Sequence, residues 1–258
     1  MEHLERVREE FARQAETFAA SPAVGEAALT ERFVQAMAPA AGGALLDVAC
    51  GPGILTVALA ATAREIVAFD LTPEMLEKAR RRCAEAGRAN ASFQEGDATH
   101  LPFGSETFDG AVTRLSVHHF QQPERVLGEI FRVLRPGGLF VLGDVISSED
   151  PGDSDLHNAI EVLRDPSHTR MLPASALLAL IERSGFVIVR QATWDRPRRF
   201  DEWMGIANDP TRVAPLRTLL SALARAGQTV GIGLSIEGGE LTFFHRWQLV
   251  EARKPPTV

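Results

Sequence analysis

The sequence contains no tyrosine and only two cysteines, Cys50 and Cys83, among 258 residues. Two isolated thiols provide neither a disulfide framework nor a paired-cysteine metal spacing, so a reduced, cytoplasmic setting and no metal are expected. No apolar run approaches the roughly 18 to 20 residues that span a bilayer, and no membrane partner is expected. The opening MEHLERVREEFARQ carries charge of both signs and lacks the apolar core of a secretory signal. A basic excess is missing as well: the net charge is −7 and the pI about 5.6. Arginines are scattered apart from Lys78–Arg82 and the stretch DRPRRF, Asp195 to Phe200. The concentrated basic face of a nucleic-acid binder is therefore absent. No repeat or low-complexity segment occurs, and only the tail EARKPPTV reads as disordered.

What is present is an ordinary globular composition, 45% hydrophobic and 24% charged, at a length suited to one large domain with room for an insertion. Leu4, Val7, Phe11, Ala15 and Phe18 recur at helical spacing, which predicts an amphipathic helix from Leu4 to about Ala20. A second helix is expected over Ala27 to Met37, closed by Pro39. From Ala44 onward short apolar runs alternate with helical patterns. ALLDVA, EIVAFD, ASFQEGD, TFDGAVT, LFVLGDV, FVIVRQAT and LTFFHRWQLVEA read as seven strands. Between them helices are expected over Ile54–Ala63, from Pro73 to Gly87 with Thr72 as N-cap, over Pro123–Leu134 and over Pro173–Ser184.

That alternation predicts an α/β protein with a seven-stranded, mainly parallel sheet and helices on both faces. The connection from Trp194 to Glu240 is too long for a turn and contains a helical stretch over Ala214–Ala226, so it is expected to cap a pocket. The division expected is one domain, 1–258, with a helical lid over 1–40, a core over 44–193, a cap over 194–240 and the last strand over 241–250.

Open parallel sheets bind ligands beyond the C-terminal strand ends, where strand order reverses. The first strand here ends in Asp47, Ala49, Gly51 and Gly53, the second in Asp70, the third in Gly96-Asp97-Ala98. Three neighbouring strands thus deliver three carboxylates to one edge. Glycines in the first turn let a ligand approach the backbone. Asp70 stands about 20 residues beyond that turn, the spacing at which an acidic side chain takes ribose hydroxyls. Asp97 would then meet an adenine amino group, and the Ala98 N–H an adenine ring nitrogen. A dinucleotide fits poorly. Its motif G-x-G-x-x-G/A wants a small third residue, where Thr56 stands, and Asp47 would repel a pyrophosphate while favouring an ammonium group. Lack of tyrosine also removes the Tyr-Lys pair of short-chain dehydrogenases. An adenosine bearing an amino acid and a sulfonium, S-adenosylmethionine, fits better.

The motifs LLDVACGPG, VAFDLTPEML, EGDATHLPF, FDGAVTRLSVHHF and VLRPGGLFVLGDV occur in that order over about Ala44 to Val145. In this the sequence resembles the class I S-adenosylmethionine-dependent methyltransferases, close to the ubiquinone and menaquinone C-methyltransferases. Cys50 stands where that family favours glycine. The resemblance implies a Rossmann-like fold with the last strand antiparallel. It implies Asp47, Ala49, Gly51 and Gly53 around the methionyl part, Asp70, Leu71 and Met75 at the ribose and adenine, Asp97 and Ala98 at the adenine edge, and Arg114 meeting the cofactor through its backbone. It also implies an N-terminal helix folded down as a lid, with Phe18 and Gln14 near the cofactor. The segment RDPSHTR, Arg164 to Arg170, resembles a bacterial subgroup acting on small molecules.

His118 and His119 follow the fourth strand beside the expected donor and are the candidate bases, His119 slightly preferred. Asp144, His168, Arg170, Trp194 and Trp203 are candidate substrate contacts; Arg170 would suit a carboxylate or phenolate. Cys50 is expected as a small filler and Cys83 as a core-facing helix residue. The activity expected is transfer of a methyl group to C, O or N of a small-molecule acceptor, leaving S-adenosylhomocysteine. The competing readings are the same fold turned to regulation or to a non-methylating reaction, and, with less support, a nucleotide-dependent oxidoreductase.

Overall fold

A computed structural model describes residues 2–22 and 24–256. Eight strands and nine helices occur in the described residues: α1 (Glu2–Ala20), α2 (Ala27–Met37), β1 (Ala44–Val48), α3 (Ile54–Leu59), β2 (Glu65–Asp70), α4 (Pro73–Glu85), β3 (Ala91–Glu95), β4 (Phe108–Arg114), α5 (Pro123–Val133), β5 (Leu134–Ile146), α6 (Pro151–Arg164), α7 (Ala174–Arg183), β6 (Val187–Arg199), α8 (Phe200–Ala207), α9 (Pro210–Arg225), β7 (Ser235–Glu237) and β8 (Glu240–Arg253). The strand order is β3-β2-β1-β4-β5-β8-β6, with β7 paired to β8. β1 to β5 pair in parallel and β8 runs antiparallel to both β5 and β6. The expected Rossmann-like fold is thus present, with one short extra strand. Strand order reverses between β1 and β4, which opens the ligand crevice at their C-terminal ends.

Alternation along β1 explains how both faces are covered. Leu46 and Val48 point into a core that includes Val126 and Ile130 of α5 and Leu177 and Leu180 of α7. Leu45 points the other way, among Phe33 and Met37 of α2 and Leu55 and Leu59 of α3. Buried on both sides, β1 is apolar except for Asp47. That lone carboxylate breaks the apolar pattern of a core strand.

Several boundaries differ from expectation. β6 runs on to Arg199 rather than ending at Thr193, so Trp194 lies in the sheet. Pro197 and the surrounding charges hide this continuation in the sequence. An edge strand tolerates them, because a missing N–H there interrupts no ladder on its outer side. α3 is shorter than the helix expected to reach Ala63. α6 had no counterpart in the sequence reading, since its buried positions include Ser154, His157, Asn158 and Glu161, and apolar periodicity cannot reveal a polar face. Its start signal was legible: Asp150 accepts a hydrogen bond from the Asp153 N–H, and Pro151 occupies the first turn. Thr72 stands at the N-cap of α4 without a side-chain cap bond. Of the tail expected to be disordered, Glu251–Arg253 belong to β8, and Thr257 and Val258 lie outside the described residues.

The segment after β6 has a core of its own. Phe200, Trp203, Met204, Leu216, Leu220 and Phe243 pack together over the C-terminal edge of the sheet. α1 lies against α4 and α8. Arg13 bonds Asp209 at 2.7 Å, Arg212 reaches Glu10 at 3.0 Å, and Thr17 donates to the Ile206 carbonyl at 2.8 Å, tying α1 to this cap. Among the described residues no helix is long and apolar enough to cross a membrane.

Candidate active site in two adjacent cavities

The larger cavity, about 200 Å³, lies at the ends of β1, β2 and β4 beneath α1. Of the residues expected around the cofactor, Phe18, Asp47, Ala49, Gly51, Asp70, Leu71, Met75, Asp97, Ala98 and Arg114 line it. α1 adds His3, Leu4, Val7 and Phe11, of which only the amphipathic pattern gave notice. Ala49 and Leu115, both on the wall, have φ of 54°. L-residues rarely adopt that conformation, and strain of this kind collects at ligand sites.

Each carboxylate has a defined setting. Asp70 Oδ2 accepts from the Gly51 N–H at 2.8 Å and Oδ1 from the Thr72 N–H at 2.9 Å, which clasps the first turn to the end of β2. Burial raises its pKa against the pull of those two bonds. Both oxygens keep a second lone pair for a diol. Asp97 is tied to the Thr99 N–H and hydroxyl at 2.9 and 2.7 Å. Asp47 is 2% exposed and accepts from the Thr56 hydroxyl at 2.6 Å. Burial pushes its pKa up to about 7, and the Arg114 charge pulls it back only in part. A cationic group arriving in the cavity would satisfy Asp47; an anionic one would not. Thr56, which broke the dinucleotide pattern, is thus the hydrogen-bond donor that holds this carboxylate.

Gly53 is a correction. It does not line the cavity; with φ of 76°, it caps α3, and a Cβ there would come within 2.7 Å of Ala79 Cβ. Its need is close packing of α3 on α4. Cys50 fills the wall as a small buried residue, and Cys83 is buried on α4.

The second cavity, about 80 Å³, lies between α6, β6, β8 and α8. His119 and Phe18 line both cavities, whereas His118, His168 and Trp203 line only the second. Gln14 also belongs to the second, donating to Asp165 at 3.0 Å, and not to the cofactor side. Three other expected substrate residues line neither cavity. Asp144 is buried against His118, accepting from Nδ1 at 2.6 Å. Arg170 is exposed and pairs with Asp155 at 2.7 Å. Trp194 stacks on Trp247 with centroids 6.0 Å apart and carries the Arg32 guanidinium on its ring. The sequence reading missed Glu161, Arg164, Asp165, Arg196, Arg198 and His245, all on the second cavity wall.

The two adjacent histidines are shifted in opposite directions. Burial disfavours charge on His118, but Asp144 outweighs it and the net pKa rises. His119 is lowered to about 4 by burial and then by the His118 charge. Its Nδ1 faces the Ser167 carbonyl at 3.1 Å, which can only accept, so Nδ1 carries the proton and Nε2 presents a lone pair. His168 is lowered to about 3, chiefly by burial, and its Nε2 donates to Asn158 at 2.8 Å.

Metal-binding spacing, absent from the sequence, arises in space: ligand atoms of His157, Glu161 and His245 lie within 4.8 Å of one another. The surroundings oppose a cation. Arg198 Nη1 lies 3.5 Å from His245 Nδ1 and Arg164 Nη1 3.6 Å from Glu161. With Nδ1 accepting from Arg198, His245 Nε2 holds the hydrogen and faces Glu161 at 3.3 Å instead of offering a lone pair to a metal.

Comparison with known proteins agrees with this geometry. Residues 46–142 match the family model described as a methyltransferase domain. The uncharacterized methyltransferase YcgJ of Bacillus subtilis is 31% identical over 212 residues, 81% of this chain and 84% of that protein; its crystal structure superposes with a TM-score of 0.81, covering 88% of this chain and 98% of that one. A Bacillus halodurans C-125 protein solved as a methyltransferase has a TM-score of 0.80 at 29% identity, covering 87% of this chain and 99% of the other. The demethylmenaquinone methyltransferase of Clavibacter sepedonicus is 41% identical over 108 residues, 42% of this chain and 43% of that protein. The chain belongs to the class I S-adenosylmethionine-dependent methyltransferases.

Proposed function

We propose that the chain moves the methyl group of S-adenosylmethionine to a small-molecule acceptor held in the second cavity. One observation carries this: a carboxylate-lined cavity at the ends of β1 and β2 adjoins a second, smaller cavity, and His119 lines both. S-adenosylmethionine, when bound, supplies an electrophilic methyl on a sulfonium. Asp70 and Asp97 offer acceptors to the ribose and adenine, and Asp47, uncomfortable when charged and alone, favours the ammonium of the methionyl part. Residues 1–40 act as the lid. α1 covers the donor cavity and is held down by the Arg13, Glu10 and Thr17 contacts, excluding water that would compete for the methyl.

Positioning supplies most of the effect in an in-line displacement. A hydroxyl acceptor becomes strongly acidic as its oxygen gains a methyl group. A weak base such as His119, neutral at ordinary pH, therefore suffices to take the proton on Nε2. His118, with Asp144 on its Nδ1, fixes the local field and donates no group to the donor cavity, which it does not line.

Titration with S-adenosylhomocysteine and, separately, NADH tests the cofactor, and mass spectrometry of a small-molecule panel tests the transfer. Binding of the former alone and a +14 Da product are expected. Binding of NADH instead would overturn the reading. So would binding of S-adenosylhomocysteine with no methylated product from any acceptor that occupies the second cavity.

A further inference from the structure

We propose that the second cavity is a receptor for a small acidic acceptor, one whose carboxylate or phosphate oxygens are taken up by Arg198 and neighbouring N–H groups. This rests on the reading above, in which the first cavity holds the methyl donor.

The unpartnered buried polar atoms decide the chemistry. Among the described residues they include Arg198 Nε and Nη2, Trp203 Nε1 and Trp247 Nε1, whereas His245 Nε2 and His157 Nε2 face the Glu161 carboxylate at 3.3 and 3.7 Å. The arginine and tryptophan nitrogens can only donate, and among the described residues no buried side-chain oxygen lacks a partner. Arg198, Trp203, Trp247 and His245 all line the second cavity, and the His157 ring lies 6.1 Å from that of His245. None of these residues lines the first cavity. Each buried donor without an acceptor costs about 1–3 kcal/mol, and more when charged. Four buried atoms that can only donate, on Arg198, Trp203 and Trp247 around one cavity, are matched to a ligand rich in acceptor oxygens.

Arg198 is the centre of this arrangement. It is 7% exposed, and Arg196, two residues along the same strand, lines the same cavity, since alternate strand residues share a face. Burial lowers the Arg198 pKa to about 10, which leaves it charged at neutral pH. Its nearest carboxylate, on Glu202, is 3.5 Å away and stands on the solvent side, 41% exposed. The acidic groups of the cavity are committed elsewhere. Asp165 accepts from Gln14 and Ser167, and Glu161 faces Arg164 and His245. Arg196 is held by Glu26 at 2.8 Å. The guanidinium of Arg198 is thus the cationic group left with open donors, in the planar fork that matches a carboxylate or phosphate.

Calorimetric titration of the full chain with benzoate and phenyl phosphate, and with the neutral isostere benzamide, tests the proposal, both with and without saturating S-adenosylhomocysteine. At least one of the acids is expected to bind tenfold or more tightly than benzamide. Arg198→Met should weaken that acid at least tenfold and leave S-adenosylhomocysteine within threefold, while Arg198→Lys restores part of the loss. A merely structural arginine would lower the melting temperature on replacement. Here the Met variant should melt at or above wild type, because a desolvated, unpaired charge has gone. Equal binding of acids and amide, no binding of either acid, or an unchanged acid affinity in Arg198→Met would overturn the proposal. Stoichiometric Zn²⁺ uptake abolished by His157→Ala would overturn it too, by making the cluster a metal site. Failure of S-adenosylhomocysteine to bind would strike the donor reading alone, with the ligand-free titration still deciding the acid.

Discussion

Asp70→Ala separates two jobs that one carboxylate performs. In the free protein Asp70 holds the Gly51 and Thr72 N–H groups at 2.8 and 2.9 Å. Removing it leaves two backbone donors unpaired at about 1–3 kcal/mol apiece, nearer the lower value because water enters from the cavity. A total near 2 kcal/mol in a chain of this size lowers the melting temperature by roughly 4–8 °C. The same substitution deletes both acceptors for the ribose diol, so S-adenosylhomocysteine should bind at least tenfold more weakly, about 1.4 kcal/mol. Asp70→Asn keeps the volume but turns an amide toward one of the two N–H donors, so its stability should be intermediate and its affinity as poor. Differential scanning calorimetry gives the first quantity; isothermal titration well below each variant's melting point gives the second. A melting drop with unchanged affinity would reduce Asp70 to a clasp for the turn and refute the ribose assignment. Lost affinity without a melting change would refute the clasp.

Acid should destabilise the protein through His119. With a folded pKa of about 4 against 6.5 unfolded, the unfolded chain takes up a proton that the folded chain refuses between those values, so stability falls as pH drops through that window by about 1.4 kcal/mol per unit. His119→Gln should flatten the urea-measured slope by that amount and lower turnover more than S-adenosylhomocysteine affinity; an unaltered slope would show the ring to be charged or solvated. Gly53→Ala meets both a left-handed φ and a Cβ contact of 2.7 Å on Ala79, so urea denaturation should show a loss of about 1–3 kcal/mol; full stability would refute the packing role. Arg13→Met cuts the bond to Asp209 at small cost in stability, about 0–1 kcal/mol, yet should speed S-adenosylhomocysteine release at least threefold in stopped-flow; an unchanged rate would mean that α1 does not gate the cavity.

How far the site was legible depended on sequence distance. Asp47, Gly51, Asp70 and Asp97 sit where strands end, and a strand end is announced locally by an apolar run giving way to glycine or aspartate. Arg170 and Asp144 were well chosen by residue type and wrong in direction: one turns outward to Asp155, the other inward to His118. Nothing local distinguishes those orientations. α6 escaped because its buried face is polar, so the pattern that identifies other helices was missing for the same reason that the helix matters.

By itself, then, the sequence determined the alternation of strands and helices, the crevice at the sheet edge and the carboxylates at the strand ends that line it, because each follows from short-range periodicity and turn chemistry. Only the tertiary structure decided the second cavity. Arg198, His245, Trp203 and Glu161 come from β6, β8, α8 and α6, and they meet because β6 extends past its apparent end and pairs antiparallel with β8 across Arg196 and His245. Strand pairing and helix docking bring distant polar residues together at the cost of burying them, and such an arrangement has no periodic signature along the chain.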